Sequence, residues 1–432
     1  MAMPNVVKKV ADGVIEGQGG MVIIGAGHCG GRAALTLRSM GWLGAITLIG
    51  EEALLPYERP PLSKAILSGD TDLSALQLAD AAAYLASDIS LRLDAKVHAL
   101  DRAAKTVVLE SGETIPYACL LLATGGAARQ LSIPGALHRQ VVSLRTHADA
   151  LHIKSHLKPG SRVILIGGGF IGLEVAATAR AAGCSVDVIE GAARLLGRAV
   201  PESIAAQVLA LHGRHGTQIA LGAQPVEIRH QGDGSLELVF ADGAFKAADL
   251  IVVGVGMLPR TELARQAGLT VEQGIVVDGQ LRTSDAAIFA AGDVCQFPSS
   301  LSGALIRQET WHNAETQASV VAANMLGAET AYVELPWFWS DQYDHTLQVC
   351  GEPGHAASSV TRLTGDDGIF IFFQDAEGRL VGGSGFGPAS VVTKDLKIMR
   401  KLVEKGARIA PELLQDPEQS LKKMLSGLKN EE

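Results

Sequence analysis

The sequence predicts an α/β protein with two related parallel-sheet units and a carboxyl-terminal α+β domain. An apolar stretch, a glycine-rich turn and a helical pattern follow one another at residues 21–40, and the same order returns at residues 162–190. From about residue 333 the pattern changes to short strands that are typical of an antiparallel sheet. The chain has 432 residues, 47% of them hydrophobic, and 49 glycines, which fits several domains with many tight turns.

The first unit begins with an apolar strand at residues 21–24. Gly25, Gly27 and Gly30 follow at G-x-G-x-x-G spacing and lead into the helical pattern. Such glycines let the backbone turn sharply and approach a pyrophosphate, whose charge then lies against the N–H groups at the helix N-terminus. Glu51 follows the next predicted strand and is placed to accept hydrogen bonds from a ribose. The unit indicates a dinucleotide site, although the motif alone also fits a strand–helix turn without a function.

A proline-rich segment follows at residues 54–68. Its three prolines fix the backbone and remove hydrogen-bond donors, so we expect a stiff loop. Ser63 is expected to cap a short helix that Lys64 opens. A cation at the end of a stiff loop beside a nucleotide site suggests a functional role, and the alternative is a rigid surface connector with a solvated lysine.

The second unit repeats the pattern of the first. An apolar strand at residues 162–166 is followed by Gly167, Gly169 and Gly172 at the same spacing, and then by an alanine-rich helix. Because one chain carries both units, we expect two nucleotides to bind together and to exchange a hydride. The alternative is a pair of purely structural turns.

Glu190 ends the strand that follows the second glycine motif. A carboxylate at this position accepts hydrogen bonds from ribose hydroxyls and repels a 2′-phosphate, which favours NAD over NADP. Arg194 and Arg198 lie close to it in the sequence and would instead hold such a phosphate. NADP therefore stays open as the alternative.

Another carboxylate follows a later apolar strand, at Gly292-Asp293. Ligands of parallel sheets bind at the carboxyl ends of the strands. Asp293 is therefore placed to accept a hydrogen bond from a ribityl or ribose hydroxyl. A role as a helix N-cap is the alternative, and the two roles are compatible.

Two features near the carboxyl terminus suggest contact with a partner. Trp311, Trp337 and Trp339 cluster in a chain that is only 4% aromatic, which suggests a stacking surface or an exit for electrons, or else ordinary interdomain core. A helix predicted at 394–408, the last of the chain, carries six basic and two acidic residues although the chain has a net charge of −9. This charge reversal suggests docking of an acidic partner, and a solvated helix face is the alternative.

The composition disfavours several classes of protein. The net charge of −9 argues against non-specific binding to nucleic acid, and no apolar run is long enough to predict a membrane span. The five cysteines lack metal-ligand spacing, so we expect no disulfide framework, no bound metal and a reducing, cytoplasmic location. Residues 1–19 lack a continuous apolar segment and are expected to form a flexible extension, not a signal peptide.

Several stretches together resemble the NADH-dependent ferredoxin reductases that serve bacterial oxygenases. They are GAGHCGGR, PYERPPLSKA, LLLATG, GGGFIGLEVAATA, FAAGDV and PWFWSDQYD, and the likeness runs from about residue 20 to 425. It implies a glutathione-reductase-like fold with two Rossmann-like dinucleotide-binding domains. The implied domains are an FAD-binding domain at 20–125 and 258–332, an NADH-binding domain at 126–257 and an α+β domain at 333–432.

The resemblance also implies FAD and NADH as cofactors and names their contacts. Lys64 would approach the flavin ring and pair with Glu174, and these two are the expected catalytic residues. The positions expected to contact FAD are Gly25, Gly27, Cys29, Gly30, Glu51, Arg59, Lys64, Val97, Thr124, Gly125, Arg145, Gly292, Asp293 and Trp311. The positions expected to contact NADH are Gly167, Gly169, Ile171, Gly172, Glu190 and Gly256. The chain departs from the family at Pro259-Arg260, where Pro-Asn is common.

The electron acceptor is expected to lie outside the protein. Disulfide-reducing relatives carry redox cysteines shortly after the second strand of the FAD domain, whereas residues 51–64 here contain none. Cys29 is expected to be a small packing residue. The resemblance implies a monomer or homodimer that reduces a small acidic [2Fe-2S] ferredoxin, which feeds a Rieske-type oxygenase or a cytochrome P450. The alternatives are a rubredoxin reductase, an NADH oxidase, and an NADH-sensing flavoprotein of the apoptosis-inducing-factor type.

Overall fold

A computed structural model describes residues 20–197, 199–365 and 368–428. These residues form two compact units, each assembled from separate stretches of the chain. The described residues of the first unit fall within 20–59, 73–127 and 258–336. Those of the second unit fall within 60–72, 128–257 and 337–428.

Helices and strands are numbered along the chain. The strands are β1 (Gly20–Ile24), β2 (Ile46–Ile49), β3 (Ile89–Arg92), β4 (Val97–Asp101), β5 (Thr106–Leu109), β6 (Thr114–Leu122), β7 (Gly126–Ala128), β8 (Val141–Ser143), β9 (Arg162–Ile166), β10 (Ser185–Glu190), β11 (Gln218–Leu221), β12 (Pro225–His230), β13 (Leu236–Phe240), β14 (Phe245–Ala248), β15 (Leu250–Val253), β16 (Met257–Pro259), β17 (Ile275–Val276), β18 (Ile288–Ala290), β19 (Cys295–Pro298), β20 (Leu305–Ile306), β21 (Trp337–Gln342), β22 (His345–Gly351), β23 (Ser358–Thr364), β24 (Gly368–Gln374) and β25 (Leu380–Pro388). The α-helices are α1 (His28–Ser39), α2 (Ala65–Ser68), α3 (Ala81–Ala86), α4 (His147–His156), α5 (Phe170–Ala181), α6 (Glu202–Arg214), α7 (Glu262–Gln266), α8 (Trp311–Met325), α9 (Ala389–Glu404), α10 (Pro411–Gln415) and α11 (Leu421–Gly427). Short 3-10 helices span Pro60–Ser63, Leu73–Leu76, Gly292–Val294 and Pro353–His355.

The first unit is organised by a sheet with the strand order β3-β2-β1-β6-β5-β4. β1 pairs in parallel with β2 and β6, and the carboxyl-terminal part of β6 also pairs in parallel with β18. β1 and the carboxyl-terminal part of β6 are apolar, and Val22, Ile23 and Leu121 are all buried. This is the pattern of parallel strands covered on both faces.

The register brings three strand ends to one edge of this sheet. Ile24 of β1 lies opposite Leu122 of β6, and Leu122 lies opposite Ala290 of β18. The first glycine turn, residues 124–125 and residues 292–293 therefore leave the sheet side by side. The carboxyl edge of an α/β sheet is where ligands bind, so the register places these segments correctly for a nucleotide.

The second unit contains a parallel sheet with the order β11-β10-β9-β15-β8 and an antiparallel sheet of β12, β13 and β14. Ile166 of β9 lies opposite Ile189 of β10 and Val253 of β15. The second glycine turn, Glu190 and Gly254 follow these residues directly. They therefore meet at one edge, as the corresponding segments of the first unit do.

Residues 337–428 contribute an antiparallel sheet, β21-β22-β25-β24-β23, and the helices α9, α10 and α11. α9 packs on β22 and β25, and Gly383 permits the close approach because a Cβ there would lie 1.8 Å from the Sδ of Met399. The basic helix predicted at 394–408 is α9, which begins at Ala389 and ends at Glu404. The prediction that it is the last helix is wrong, since α10 and α11 follow it.

Membrane-spanning helices and metal clusters are both absent from the described residues. No helix there is long and apolar enough to cross a bilayer. No three His, Cys, Asp or Glu side chains in the described ranges are grouped so that they could hold a metal ion. The cysteines are free thiols.

Candidate nucleotide-binding sites

The first glycine turn requires glycine on steric grounds. Gly25 has a φ of +112°, and a Cβ there would lie 2.1 Å from the carbonyl oxygen of Ala123. A Cβ on Gly30 would lie 1.9 Å from the carbonyl oxygen of Gly25. A side chain at either position would therefore force β1, β6 and α1 apart.

Gly27, the middle glycine, borders open space. The nearest described atom to a Cβ at this position would be Nη2 of Arg59, at 3.9 Å. Gly27 precedes the first turn of α1, where backbone N–H groups have no partner within the helix and carry the positive end of its dipole. Glu52 holds the Arg59 guanidinium at 2.8 Å. Helix N–H groups, a cation and free space together fit the pyrophosphate of a dinucleotide.

Three of the residues expected to contact FAD meet at Arg260. The Arg260 guanidinium pairs with the carboxylate of Glu51. Its backbone N–H donates to the carbonyl oxygen of Gly125 at 3.0 Å, and its own carbonyl oxygen accepts from Thr124 Oγ1 at 2.8 Å. Glu51 therefore has a cationic partner, and its oxygens retain further lone pairs for a ribose hydroxyl.

Cys29 is a buried packing residue beside the same turn. A Cβ on Gly292 would lie 3.2 Å from the Cβ of Cys29, so the two residues are in contact. Gly292 has a φ of +79°, and its N–H donates to Gln317 at 2.7 Å. Burial raises the pKa of the Cys29 thiol well above its usual value, which keeps the thiol protonated near neutral pH. A protonated, enclosed thiol is not a redox nucleophile.

The remaining residues expected to contact FAD are divided between the two units. In the first unit, Val97 is buried at the start of β4, Asp293 follows β18, and Trp311 is the first residue of α8. In the second unit, Arg145 precedes α4, and its backbone N–H donates to Asp149 at 3.0 Å. Their contacts with FAD stay predictions.

The second unit contains an ion pair between Lys64 and Glu174. Nζ of Lys64 lies 2.9 Å from Oε2 of Glu174, and the two side chains are 26% and 4% exposed. The Ser63 hydroxyl donates to the same carboxylate oxygen, and the Ser340 hydroxyl donates to Oε1 at 2.7 Å. The buried carboxylate is thus compensated by one cation and two hydroxyl donors, as a charge removed from water requires.

The prediction that Ser63 caps a helix is wrong. Ser63 lies in the 3-10 helix Pro60–Ser63, and α2 begins only at Ala65, with Lys64 at the N-cap. The Ser63 hydroxyl donates instead to Glu174, because a buried carboxylate is a stronger acceptor than a neutral group. No sequence signal announced this contact, since the partners are 111 positions apart.

The second glycine turn repeats the geometry of the first. Gly167 has a φ of +108°, and a Cβ there would lie 2.4 Å from the carbonyl oxygen of Gly254. A Cβ on Gly172 would lie 2.4 Å from the carbonyl oxygen of Gly167. At Gly169, in contrast, the nearest described atom would be the Gly254 oxygen at 3.9 Å. Two positions therefore require glycine, and the third leaves room for a ligand.

A cavity of about 540 Å³ opens at this turn, which is a size suited to a small molecule. It is lined by residues 167–169 and 254–256, by Glu190 and by apolar side chains that include Ile133. Oε2 of Glu190 accepts the N–H of Gly168 at 2.6 Å, and Oε1 accepts the N–H of Ala192 at 2.7 Å. These bonds fix the carboxylate and leave each oxygen a lone pair for a ribose hydroxyl.

Four other residues were expected from the sequence to bear on the nucleotide at this turn. Arg194 donates from Nη1 to the carbonyl oxygen of Val200 at 3.0 Å, and Arg198 lies outside the described residues. Ile171 is 46% exposed on the first turn of α5, and Gly256 lines the cavity. The described contacts therefore place a fixed carboxylate, Glu190, in the cavity wall.

These features define a class of protein. Each parallel-sheet unit has a turn in which two glycines are sterically required and a third leaves space before a helix N-terminus. In each unit an acidic residue lies at the carboxyl end of the next strand, Glu51 two residues after β2 and Glu190 as the last residue of β10. A chain with two such sites is an oxidoreductase that binds two dinucleotides.

The chain belongs to the pyridine nucleotide-disulphide oxidoreductase family, whose model matches residues 20–318, and residues 337–425 match the reductase C-terminal model. It is 44% identical over 407 residues to the ferredoxin–NAD(+) reductase component of the anthranilate 1,2-dioxygenase system of Burkholderia cepacia, covering 94% of this chain and 98% of the relative. The solved ferredoxin reductase for the CYP199A2 system of Rhodopseudomonas palustris is 38% identical, with a TM-score of 0.88 and coverage of 93% and 99%. Putidaredoxin reductase in its covalent complex with putidaredoxin is 33% identical, with a TM-score of 0.88 and coverage of 95% and 99%.

These likenesses confirm two predictions made from the sequence. The α/β class with a carboxyl-terminal α+β domain is confirmed, and so is the resemblance to the ferredoxin reductases of oxygenase systems. FAD and NADH are the cofactors of this family, and the two glycine turns described above fit their pyrophosphates.

Proposed function

We propose that this chain oxidises NADH through bound FAD and passes the electrons one at a time to a small acidic [2Fe-2S] ferredoxin. The observation that carries the proposal is the pair of glycine turns, each with room for a pyrophosphate, in two separate sheets. The acceptor is supported by the relatives, which are named for ferredoxin and putidaredoxin. It is also supported by residues 51–64, which lack the cysteines through which disulfide-reducing relatives pass electrons.

Bound FAD would supply the conversion of a two-electron hydride into single electrons. Gly27 and Arg59 would hold its pyrophosphate, Glu51 its adenosine ribose and Asp293 its ribityl chain. Lys64 would place a positive charge near the flavin, where it favours the more negative, reduced state. Hydride transfer needs no side chain as acid or base, so the residues serve to align the two rings and to tune their environment.

NADH would bind at the second turn. Gly169 would admit the pyrophosphate, and Glu190 would accept hydrogen bonds from the adenosine ribose while repelling a 2′-phosphate. Arg194 donates only one of its N–H groups to Val200 and keeps others for a phosphate, so the preference for NADH rests on Glu190. The exposed Ile171 would offer an apolar contact to the dinucleotide.

The ferredoxin would dock on the solvent face of α9. The buried face of α9 carries Val392, Leu396 and Met399. Its exposed face carries Lys394 and Lys397. Lys401 and Lys405 are also exposed and continue the basic face. An acidic protein approaching this face would gain attraction that falls as salt rises.

Anaerobic mixing tests the proposal. The purified protein should show a flavin spectrum that NADH bleaches, and oxidised two-iron ferredoxin should restore the flavin bands as it becomes reduced. Ferricyanide serves as an acceptor that needs no specific docking. Bleaching followed by transfer to rubredoxin, but not to ferredoxin, would contradict the proposed acceptor, and failure to bleach would contradict the whole proposal.

A further inference from the structure

The motif PWFWSDQYD places several polar side chains next to the buried carboxylate of Glu174. Ser340 and Gln342 point to the same face of β21, and both are 1% exposed. The Ser340 hydroxyl donates to Glu174 Oε1 at 2.7 Å, and the Gln342 amide nitrogen donates to Ser340 Oγ at 3.1 Å. Ser340 therefore receives one hydrogen bond and gives its only proton to the carboxylate.

The chain of hydrogen bonds continues to α6. Nε2 of His212 lies 2.9 Å from Oε1 of Gln342, and His212 is fully buried. Because an amide oxygen only accepts, His212 must carry its proton on Nε2. Burial lowers the pKa of His212, so the imidazole is neutral and Nδ1 is an acceptor. The Tyr343 hydroxyl faces this nitrogen at 3.5 Å.

The far end of the chain is held in place by Tyr343. Its backbone has a φ of +57°, a strained conformation for a side chain of this size. The ring stacks on His215 with a centroid distance of 3.7 Å, and the hydroxyl lies 3.3 Å from Thr217 Oγ1. These contacts hold the strained turn between β21 and β22.

The hydrogen-bond donors along this series of side chains all point in one direction. His212 donates to Gln342, Gln342 donates to Ser340, and Ser340 donates to Glu174. Hydrogen bonds arranged head to tail polarise one another, and burial strengthens each of them. The aligned hydrogen bonds therefore present partial positive charge to one oxygen of Glu174, while Lys64 and Ser63 contact the other oxygen.

We infer that the buried chain His212–Gln342–Ser340 is a positioning device that fixes Glu174 and sets how strongly its charge neutralises Lys64. The inference rests on the proposed function, in which Lys64 acts on bound FAD. When these hydrogen bonds are intact, Ser340 balances part of the carboxylate charge. Less of the Lys64 charge is then cancelled by Glu174, and its field at the flavin is stronger. Without these hydrogen bonds, only Lys64 and Ser63 balance the carboxylate, and the field that favours reduced FAD becomes weaker.

The variant Ser340→Ala tests this directly. We expect a more negative midpoint potential for bound FAD, and reduction by NADH slowed about fivefold, the factor that corresponds to loss of one hydrogen bond. Ser340→Thr keeps a hydroxyl and should restore both values. Ser384→Ala is the matched control, because Ser384 is also a buried serine of the antiparallel sheet and its hydroxyl has no partner among the described residues.

Double substitution distinguishes one connected hydrogen-bond chain from two independent contacts. His212→Leu should shift the potential in the same direction as Ser340→Ala, and His212→Gln, which keeps an N–H donor, should shift it less. Once Ser340 is replaced by alanine, His212→Leu should add nothing, because the link to Glu174 is already broken. Additive shifts in the double variant, or a Ser340→Ala variant with unchanged potential, would overturn the inference.

Lys64→Ala distinguishes failure of the inference from failure of the proposed function. If Lys64→Ala shifts the potential and Ser340→Ala does not, the positioning chain is refuted and the role of Lys64 stands. If neither variant shifts it, the role of Lys64 is refuted together with the inference. FAD affinity and the thermal melting point of each variant, measured on the same samples, exclude misfolding as the cause.

Discussion

The middle glycines of the two turns allow a matched test of the two nucleotide sites. Gly27 and Gly169 occupy the same place in their motifs, each as the residue before a helix. Their φ angles are −82° and −84°, which any residue adopts, and a Cβ at either would have its nearest described atom at 3.9 Å. Alanine therefore fits both turns when no ligand is bound.

The added methyl group would occupy the space through which a pyrophosphate approaches the helix. Replacing glycine with alanine at an N-cap costs at most about 1 kcal/mol of stability, so both variants should fold. Loss of one charge-assisted hydrogen bond to a phosphate costs about 1.5–3 kcal/mol, which corresponds to roughly 10- to 150-fold in affinity. Gly27→Ala should weaken the binding of FAD by this factor, and Gly169→Ala should weaken the binding of NADH by the same factor.

The assay combines two measurements on each variant. FAD is removed, and its return is followed by the quenching of flavin fluorescence. The KM for NADH is then measured with ferricyanide at saturating FAD. Gly27→Ala should change only the first value and Gly169→Ala only the second. Equal effects of both variants on FAD, or wild-type values for both, would refute the assignment of the two turns.

Three further predictions concern the sites and the docking face. Glu190→Gln replaces one acceptor oxygen with an amide donor that faces a backbone N–H. The KM for NADH should therefore rise about tenfold, and the preference for NADH over NADPH should fall. An unchanged NADH/NADPH ratio would contradict this. Lys64→Ala should slow the reduction of bound FAD in stopped-flow experiments, and an unaltered rate at full flavin content would remove Lys64 from the site. Charge reversal at Lys394 and Lys397 should raise KM for ferredoxin and spare ferricyanide reduction, whereas equal effects on both acceptors would exclude docking on α9.

The parts of the fold that were predictable from the sequence depend on neighbouring residues. Each glycine motif lies within one strand, one turn and one helix, so spacing and apolar pattern suffice to place it. The same holds for the antiparallel strands after residue 337. The bounds of α9 were less predictable, because Ala389 and the residues after it lack the basic pattern that marks the helix further on.

The environment of Glu174 was not predictable in the same way. The family resemblance implied a pairing with Lys64, and the ion pair is present in the structure at 2.9 Å. The contacts with Ser63 and Ser340 join residues 111 and 166 positions apart, and they depend on how distant elements pack. Serine is a favoured residue at helix N-caps, and the buried carboxylate overrode this local preference.

Anaerobic stoichiometry tests the central claim most directly. A known, limiting amount of NADH is added to a catalytic amount of the protein and an excess of oxidised two-iron ferredoxin. The amount of reduced ferredoxin is then measured from its spectrum. The account predicts that two ferredoxins become reduced for each NADH consumed, because a hydride carries two electrons and each cluster accepts one. NADH that is consumed only when oxygen is admitted, with no ferredoxin reduced, would contradict it.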